Sequence, residues 1–508
     1  MKVITPLSKL ILIFLQTSLI FTITIERSFA NTFDVKEYGA MGDGVNLDGK
    51  AINKAIDAAA KAGGGTVYFP AGNYLSGSIH LRSNISLFID QGATIIAAPV
   101  TAENGYDEEE ASVNSTYQDS GHSHWHNSLI WGDSLHDVSI LGHGTIWGRG
   151  LYKDYVKSKQ SANKAIALYV CRNVNIRDIS ILHGGWFAIL ATGVDNFTID
   201  NVILDTNRDG MDIDCCRNVH VSNCSVNSPY DDGICLKSTF GLGYARATEN
   251  VTITNCEVSG FDEGSFLDGT YKRTKNPQYG YSPTGRIKFG TESNGGFKNI
   301  AISNCVFNYC RGLALETVDG ALLEDVTITN ITMRDIVNAP VFLRLASRMR
   351  GPANVPVGEL RRVIISNIIA YDVEPGQGVL ISGIPGHPIK DIDIEHVKLY
   401  FKGGGTSEQG KREVPEMEKG YPEPGSFGVL PAYGFYARHV DGLKIEDVEM
   451  NFLSDDQRPA IIFDGVNGAV LRFVKAQTVN GVSSINIKNS ANINALQSLN
   501  LPDGKLKE

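Results

Sequence analysis

The sequence predicts an all-β chain wound as a right-handed parallel β-helix, with a short capping helix near its N-terminus. A strand-like phrase recurs ten times: DVSILGHG at 137, NVNIRDISI at 173, NFTIDNVIL at 196, NVHVSNCSV at 218, NVTITNCEV at 250, NIAISNCVF at 299, DVTITNITM at 325, RVIISNIIA at 362, DIDIEHVKL at 391 and LKIEDVEMNF at 443. Alternating β-branched and polar residues give short half-buried strands. The first intervals after Asn173, 23 and 22 residues, fit a solenoid with about three short strands per coil. The phrases are not joined by two-residue hairpin turns, which argues against an ordinary multi-sheet β fold, and parallel crossovers are overwhelmingly right-handed.

In chain order, residues 1–30 read as an export signal. Lys2 and Lys9 form a basic start, Leu10 to Ile25 is largely apolar, and Ser28-Phe29-Ala30 offers small residues for cleavage after Ala30. An uncleaved anchor is the alternative. Residues 31–508 form one β-helical domain, with 31–100 as the N-terminal cap and first coils and 101–495 as the remaining coils. Asp48 can cap a helix whose apolar positions Ile52, Ala55, Ile56 and Ala59 keep a helical period, and Gly63-Gly64-Gly65 ends it. A cap is needed because an open end of stacked strands exposes backbone groups and apolar rungs. Two segments, 266–285 and 403–430, read as inserted loops long enough to wall a groove.

Composition excludes little. A net charge of -10 disfavours nucleic acid, since phosphate binding wants a basic face. No apolar run after the leader approaches membrane-spanning length, so no membrane partner is expected after its removal. The eight cysteines lack metal-type CxxC spacing, and those in the repeated Asn-Cys pairs (Cys224, Cys256, Cys305) read as small apolar residues of the repeat core. Disulfides stay possible in an exported chain.

Chemistry is concentrated in NRDGMDID (Asn207 to Asp214) and YDDGICLKS (Tyr230 to Ser238). Counting from the strand phrases Asn173, Asn196, Asn218 and Asn250 places Trp186, Asp209, Asp231 and Glu263 in one surface column. Neighbouring strands lie about 4.8 Å apart, so Asp209, Asp231 and Asp232 crowd together and like charges push their proton affinities apart. Sugar rings stack on aromatics and glycosidic bonds are cleaved by paired carboxylates, so the column reads as a saccharide groove. Asp231 is assigned as general acid, with Asp209 and Asp232 as bases holding a water. The same acids could instead cap turns or bind calcium.

The cap text FDVKEYGAMGDG, the two aspartate runs, FGTESNGGFKNIAISNC and YPEPGSFGVLPAYGFYARHV together resemble glycoside hydrolase family 28, the polygalacturonase and rhamnogalacturonan hydrolase family. The resemblance covers nearly the whole mature chain. It implies a pectin-lyase-like β-helix that hydrolyses pectic polysaccharide with inversion and without a cofactor or metal. It carries the catalytic roles onto Asp209, Asp231 and Asp232, with Asn207 orienting substrate or water. Polygalacturonases carry Gly-His-Gly one coil after the Asp pair, where counting gives Glu263 in this chain. One coil further they carry Arg-Ile-Lys, a place matched by RGLALET, so Ala314 and Glu316 stand where the cations belong. A literal Arg286-Ile287-Lys288 falls one coil earlier; strand alternation puts both cations on one face, suited to a substrate carboxylate or merely solvated. These departures favour a rhamnogalacturonan or other branched acidic substrate.

His122, His124 and His126 alternate and would share one strand face, open to a metal or to sugar hydroxyls. Lys237 could lower a neighbouring acid's pKa or form a surface ion pair. Arg344, Arg438 and His439 are candidates for groove contact. The expectation is an exported, monomeric hydrolase acting on pectic polymers or oligomers, releasing units from an end because the two loops block the groove. A calcium-dependent lyase and a non-catalytic carbohydrate-binding solenoid are the competing classes.

Overall fold

Nine of the ten recurring phrases open on a residue held in the left-handed backbone region, among them Asp137, Asn173, Asn196, Asn218, Asn250 and Asn299 with φ between 55° and 58°. Asparagine and aspartate tolerate that conformation because their short polar side chains bond locally. Here they also bond between coils. Asn173 Nδ2 donates to Asp137 at 2.9 Å, Asn196 to Asn173 at 2.9 Å, Asn218 to Asn196 at 3.1 Å, Asn250 to Asn218 at 3.0 Å and Asn299 to Asn250 at 2.7 Å. The ladder fixes each bend directly above the one before.

The computed structural model describes residues 31–111, 115–152, 162–274 and 283–507. The expected export signal lies outside the described residues. The earlier coils carry three strands each, as in Met211–Asp214, Arg217–Ser222 and Ser225–Asn227, and in the later coils two of the three run together, as in Phe297–Asn308 and Leu322–Arg334. The ten phrases stack in register through Val138, Val174, Phe197, Val219, Val251, Ile300, Val326, Val363, Ile392 and Leu443. Among the described residues the strand–strand pairings are parallel except the closing one, Ala491–Leu496 with Gly504–Leu506. The inward residues form one continuous core along the axis. All eight cysteines are buried free thiols, and Cys224, Cys256 and Cys305 each donate to the backbone oxygen two residues earlier, Ser222 O, Thr254 O and Ser303 O, at 3.2, 3.3 and 3.2 Å.

The cap helix α1, Gly49–Lys61, buries Ala51, Ile52, Ala55, Ile56 and Ala59 against the first coils. Asp48 precedes it but does not cap it: its carboxylate accepts from Met41 N at 2.6 Å and Gly42 N at 3.0 Å, tying down the preceding turn instead. At the far end Gly63, at φ 94°, lets Gly64 N reach back to Ala59 O at 2.9 Å, closing the last helical turn.

Three segments leave the coil and wall one face. The chain departs after Glu257–Ser259 and rejoins at Ile287–Ser293, and again after Ile389–Gly403 to rejoin at Phe435–Ser454. Both excursions are longer than the loops expected at 266–285 and 403–430. The third wall, between the strands Ala93–Ala97 and Ile130–Asp133, was not expected as a loop. Its histidines lie partly in a 3-10 turn, Ser120–Ser123, rather than on a strand, so they do not share a face. His122 is buried beside Asp212, His124 lies near Glu109, and His126 stacks on Trp131 with ring centroids 4.1 Å apart.

Candidate active site

The aspartates sit on the turns that precede two stacked strands, Met211–Asp214 and Ile234–Ser238, and the next strand of the stack is Ile287–Ser293. Asp205 pairs with Asn227 at a spacing of 22, but Met211 pairs with Ile234 at a spacing of 23. The second turn therefore holds one extra residue, and the register shifts by one. Gly210 N bonds Asp232 O at 3.0 Å, which aligns Asp209 with Asp232 rather than with Asp231 as counting expected. The extra residue creates the doubled aspartate: Asp232 continues the column and Asp231 is pushed toward the mouth. Asp209 and Asp232 are 3% and 2% exposed, whereas the Asp231 side chain is 32% exposed.

Two expected members of the column are displaced by the same accounting. The next coil presents Gly285-Arg286 in this place, since Gly233 N and Ile234 N both bond Arg286 O at 2.8 and 3.1 Å. Glu263 instead lies in the excursion, which folds back two coils. Glu263 Oε1 stands 2.6 Å from His183 Nδ1, and the amides of Gly264, Phe266 and Leu267 donate to the Asp205 carboxylate at 2.9, 3.1 and 2.9 Å. Trp186 offers no face to a sugar. It is 0% exposed, donates from Nε1 to Asp119 at 3.1 Å, and lies under the Arg208 guanidinium, whose centre is 3.6 Å from a ring centroid. Arg208 in turn pairs with Asp231 at 3.0 Å. The exposed aromatic beside the site is Tyr421 from the late loop, 57% exposed, with its hydroxyl 3.4 Å from Lys288 Nζ and 3.1 Å from Thr291 Oγ1.

Arg286 and Lys288 both reach Asp232, at 2.7 and 3.3 Å. Arg286 also forms a two-pronged contact with Glu423, at 2.8 and 3.4 Å. Lys288 stands 3.6 Å from Glu316, which is fully buried one coil on, and Ala314 aligns with Lys288. Lys237 is buried rather than superficial and pairs with Glu292 at 3.2 Å. Asn207 fastens the two turns together, its backbone oxygen accepting from Tyr230 N at 3.0 Å.

These surroundings split the acids. Burial, then the neighbouring Asp212 and Asp231 carboxylates, pushes Asp209 well above the ordinary carboxylate range. Burial also raises Asp212 to about 8, while burial and Lys237 lower its neighbour His122 to about 4; Nε2 of His122 lies 2.9 Å from Asp212 Oδ2. Burial pushes Glu316 up to about 7 against the pull of Lys288. Asp232 moves the other way. Burial opposes its charge, but Lys288, Arg286 and Lys237 together hold the carboxyl well below the ordinary range. The arrangement therefore favours the protonated form of Asp209 and the ionised form of Asp232.

Oxygens of Asp209 and Asp232 and the Cys235 thiol all lie within 4.8 Å of one another, close enough to share a small ion. The donors suit a water better. Asp232 is already neutralised by two cations, and burial raises the Cys235 thiol well above its ordinary value while it donates to Gly290 O at 3.1 Å.

Arg344 and Arg438, expected as groove contacts, pin the late loop. Arg344 donates to the Glu416 and Met417 carbonyls at 2.9 and 2.8 Å, and Arg438 to Val414 O at 2.9 Å; His439 lies 3.1 Å from the Glu416 carboxylate. Sequence reading missed Arg208, although it stands between two flagged residues, and missed Asp212, Tyr421 and Glu423. A charged residue inside the Asn-x-Asp turn was a usable signal for the first. The loop residues reach the site from far along the chain and left none.

Comparison with known proteins agrees with this architecture. Residues 32–182 match the family described as rhamnogalacturonase A/epimerase, pectate lyase-like, and residues 154–274 match the right-handed β-helix region. A probable polygalacturonase of Vitis vinifera is 24% identical over 402 residues, covering 73% of this chain and 75% of that protein. Among solved structures, the family 28 exopolygalacturonase of Yersinia enterocolitica superposes with a TM-score of 0.61 at 16% identity, over 94% of this chain and 79% of that one. The exopolygalacturonase of Thermotoga maritima gives 0.58 at 19% identity, over 73% and 87%. Together with the coil architecture, these matches show the right-handed parallel β-helix fold of pectate lyase-like proteins and a likeness to polygalacturonases.

Proposed function

We propose that the chain is an exported glycoside hydrolase that cleaves pectic polysaccharide or its oligomers from an end, with inversion. The observation that carries this reading is the grouping of Asp209, buried among carboxylates, with Asp232, gripped by Arg286 and Lys288, beside the exposed Asp231, since acids in such different surroundings are driven apart into a donor and an acceptor. Asp231, at the mouth, meets the glycosidic oxygen. In the substrate complex Asp231 acts as the proton donor to the leaving oxygen. A water held between Asp209 and Asp232 attacks the sugar carbon from the opposite face and loses its proton to Asp232. The C–O bond to the leaving group breaks as the bond to water forms, and exchange with solvent resets both carboxyls.

End-wise attack is supported by the late loop, which stands across the face on Glu423 and Tyr421 and is anchored by arginines rather than free to swing. The polygalacturonase relatives support a pectic substrate. The test is incubation of the protein with homogalacturonan and rhamnogalacturonan oligomers, followed by product masses and the anomeric form of the freshly released end. Short products of inverted configuration are expected. Ultraviolet-absorbing products suppressed by a chelator would point to a lyase instead, and binding without turnover to a carbohydrate-binding solenoid.

A further inference from the structure

The Glu423 carboxylate is held as a bound uronate would be. Arg286 grips it from Nη1 and Nη2, Arg311 Nη1 approaches at 3.1 Å, and Asn338 Nδ2 donates at 2.8 Å. Two guanidinium groups and an amide converging on one carboxylate make a specific acid-recognition pocket. Its occupant belongs to the chain itself, delivered by the turn that includes Pro424–Phe427. Burial opposes the charge on Glu423, yet Arg286 and Arg311 keep its affinity for a proton below the ordinary value.

Asp232 and Glu423 between them engage Arg286, Lys288 and Arg311, and Lys288 also stands 3.6 Å from Glu316. A carboxylate tethered in this way competes at an effective concentration on the order of millimolar or more, and a free uronate must displace it. The other partners of Lys288 are hydroxyls, Thr291 Oγ1 at 3.0 Å and the Tyr421 hydroxyl at 3.4 Å, groups that suit sugar hydroxyls rather than a charge.

We propose that Glu423 fills a carboxylate-recognition pocket made by Arg286, Arg311 and Asn338, so that the sugar unit lodged beside Asp232 and Tyr421 is a neutral one. The acidic units of the polymer then lie outside this subsite. The inference rests on the pectic hydrolase reading and narrows it to chains whose terminal unit is a neutral sugar such as galactose or rhamnose.

The test compares the intact protein with Glu423→Ala and Glu423→Gln by calorimetric titration with galacturonic acid and with methyl galactoside, with folding checked by circular dichroism. Glu423→Ala frees two guanidinium groups and should bind galacturonic acid at least tenfold more tightly than the unaltered protein, with methyl galactoside affinity changed less than twofold. Glu423→Gln, which keeps the shape but not the charge, should move the same way by a smaller factor and serves if the alanine variant does not fold. Equal or weaker galacturonic acid binding in the folded variants overturns the proposal, as does an unaltered protein that prefers uronate-ended oligomers to neutral-ended ones. Absence of hydrolysis on every pectic oligomer defeats the hydrolase reading while leaving the binding comparison legible.

Discussion

Asp209 and Asp232 are register partners on adjacent coils, yet one is driven to hold a proton and the other to lose it. Backbone stacking brings them together, and outward side chains of neighbouring strands separate them chemically. Asp212 and burial act on the first, and Lys288, Arg286 and Lys237 on the second.

Replacing Asp231 by Asn removes the one exposed acid of the group. Release of reducing ends should fall about a thousandfold, in the range typical of general acid catalysis, with an unchanged circular dichroism spectrum and melting point. Retention of more than a tenth of the activity would show that the donor lies elsewhere.

The buried Asp212 and His122 pair makes stability depend on pH in a defined direction. Asp212 folds with its pKa raised from 3.8 to about 8, so the folded state binds the extra proton and stability falls as pH rises between those values. His122 folds with its pKa lowered from 6.5 to about 4, so stability gained from its neutral form rises over that lower window and offsets the loss there. Between pH 6.5 and 8 the histidine no longer offsets the aspartate, whose own contribution is a loss on the order of 2 kcal/mol beside those of the other buried acids. Melting points across that interval should decline less in Asp212→Asn than in the unaltered protein; parallel slopes would remove Asp212 as the cause.

Replacing residues 406–428 by a short glycine-rich linker opens the face that Tyr421 and Glu423 close. Early products from a long pectic chain should shift from short units to mid-sized oligomers, read by chromatography within the first few per cent of reaction. An unchanged product ladder would mean that the late loop does not set the end preference.

The ladder asparagine Asn218 separates two contributions. Asn218→Gly loses the side-chain bonds to Asn196 and Asn250 but keeps the left-handed backbone, whereas Asn218→Ala loses the bonds and strains a backbone at φ 56°. The alanine variant should be less stable than the glycine variant by about 1–2 kcal/mol, seen as a lower melting point. Equal melting points would leave the bonds as the whole effect.

The strands were legible because their period of two is written in every phrase, and because Asn or Asp marks nearly every bend. Register across the turns was not. Counting from Asn196 and Asn218 carries the strand spacing forward unchanged, and a single residue added between Asn227 and Ile234 is invisible without the hydrogen bonds. Trp186 and Glu263 were misplaced for related reasons: the first is covered by Arg208, its own neighbour one coil on, and the second belongs to a segment that folds backward. Glu423 and Tyr421 meet Arg286 and Lys288 across more than a hundred residues, a distance over which no local pattern operates.

The one-residue expansion before Ile234 also says how such a scaffold acquires chemistry. Strands on either side of that turn keep their partners, and the asparagine ladder at the next bend runs on uninterrupted from Asn196 through Asn218 to Asn250. A turn can thus gain a residue and present a new acid without renegotiating the coils around it. Stability is inherited by the rungs, and novelty is confined to the corners, where insertion and deletion are cheap experiments.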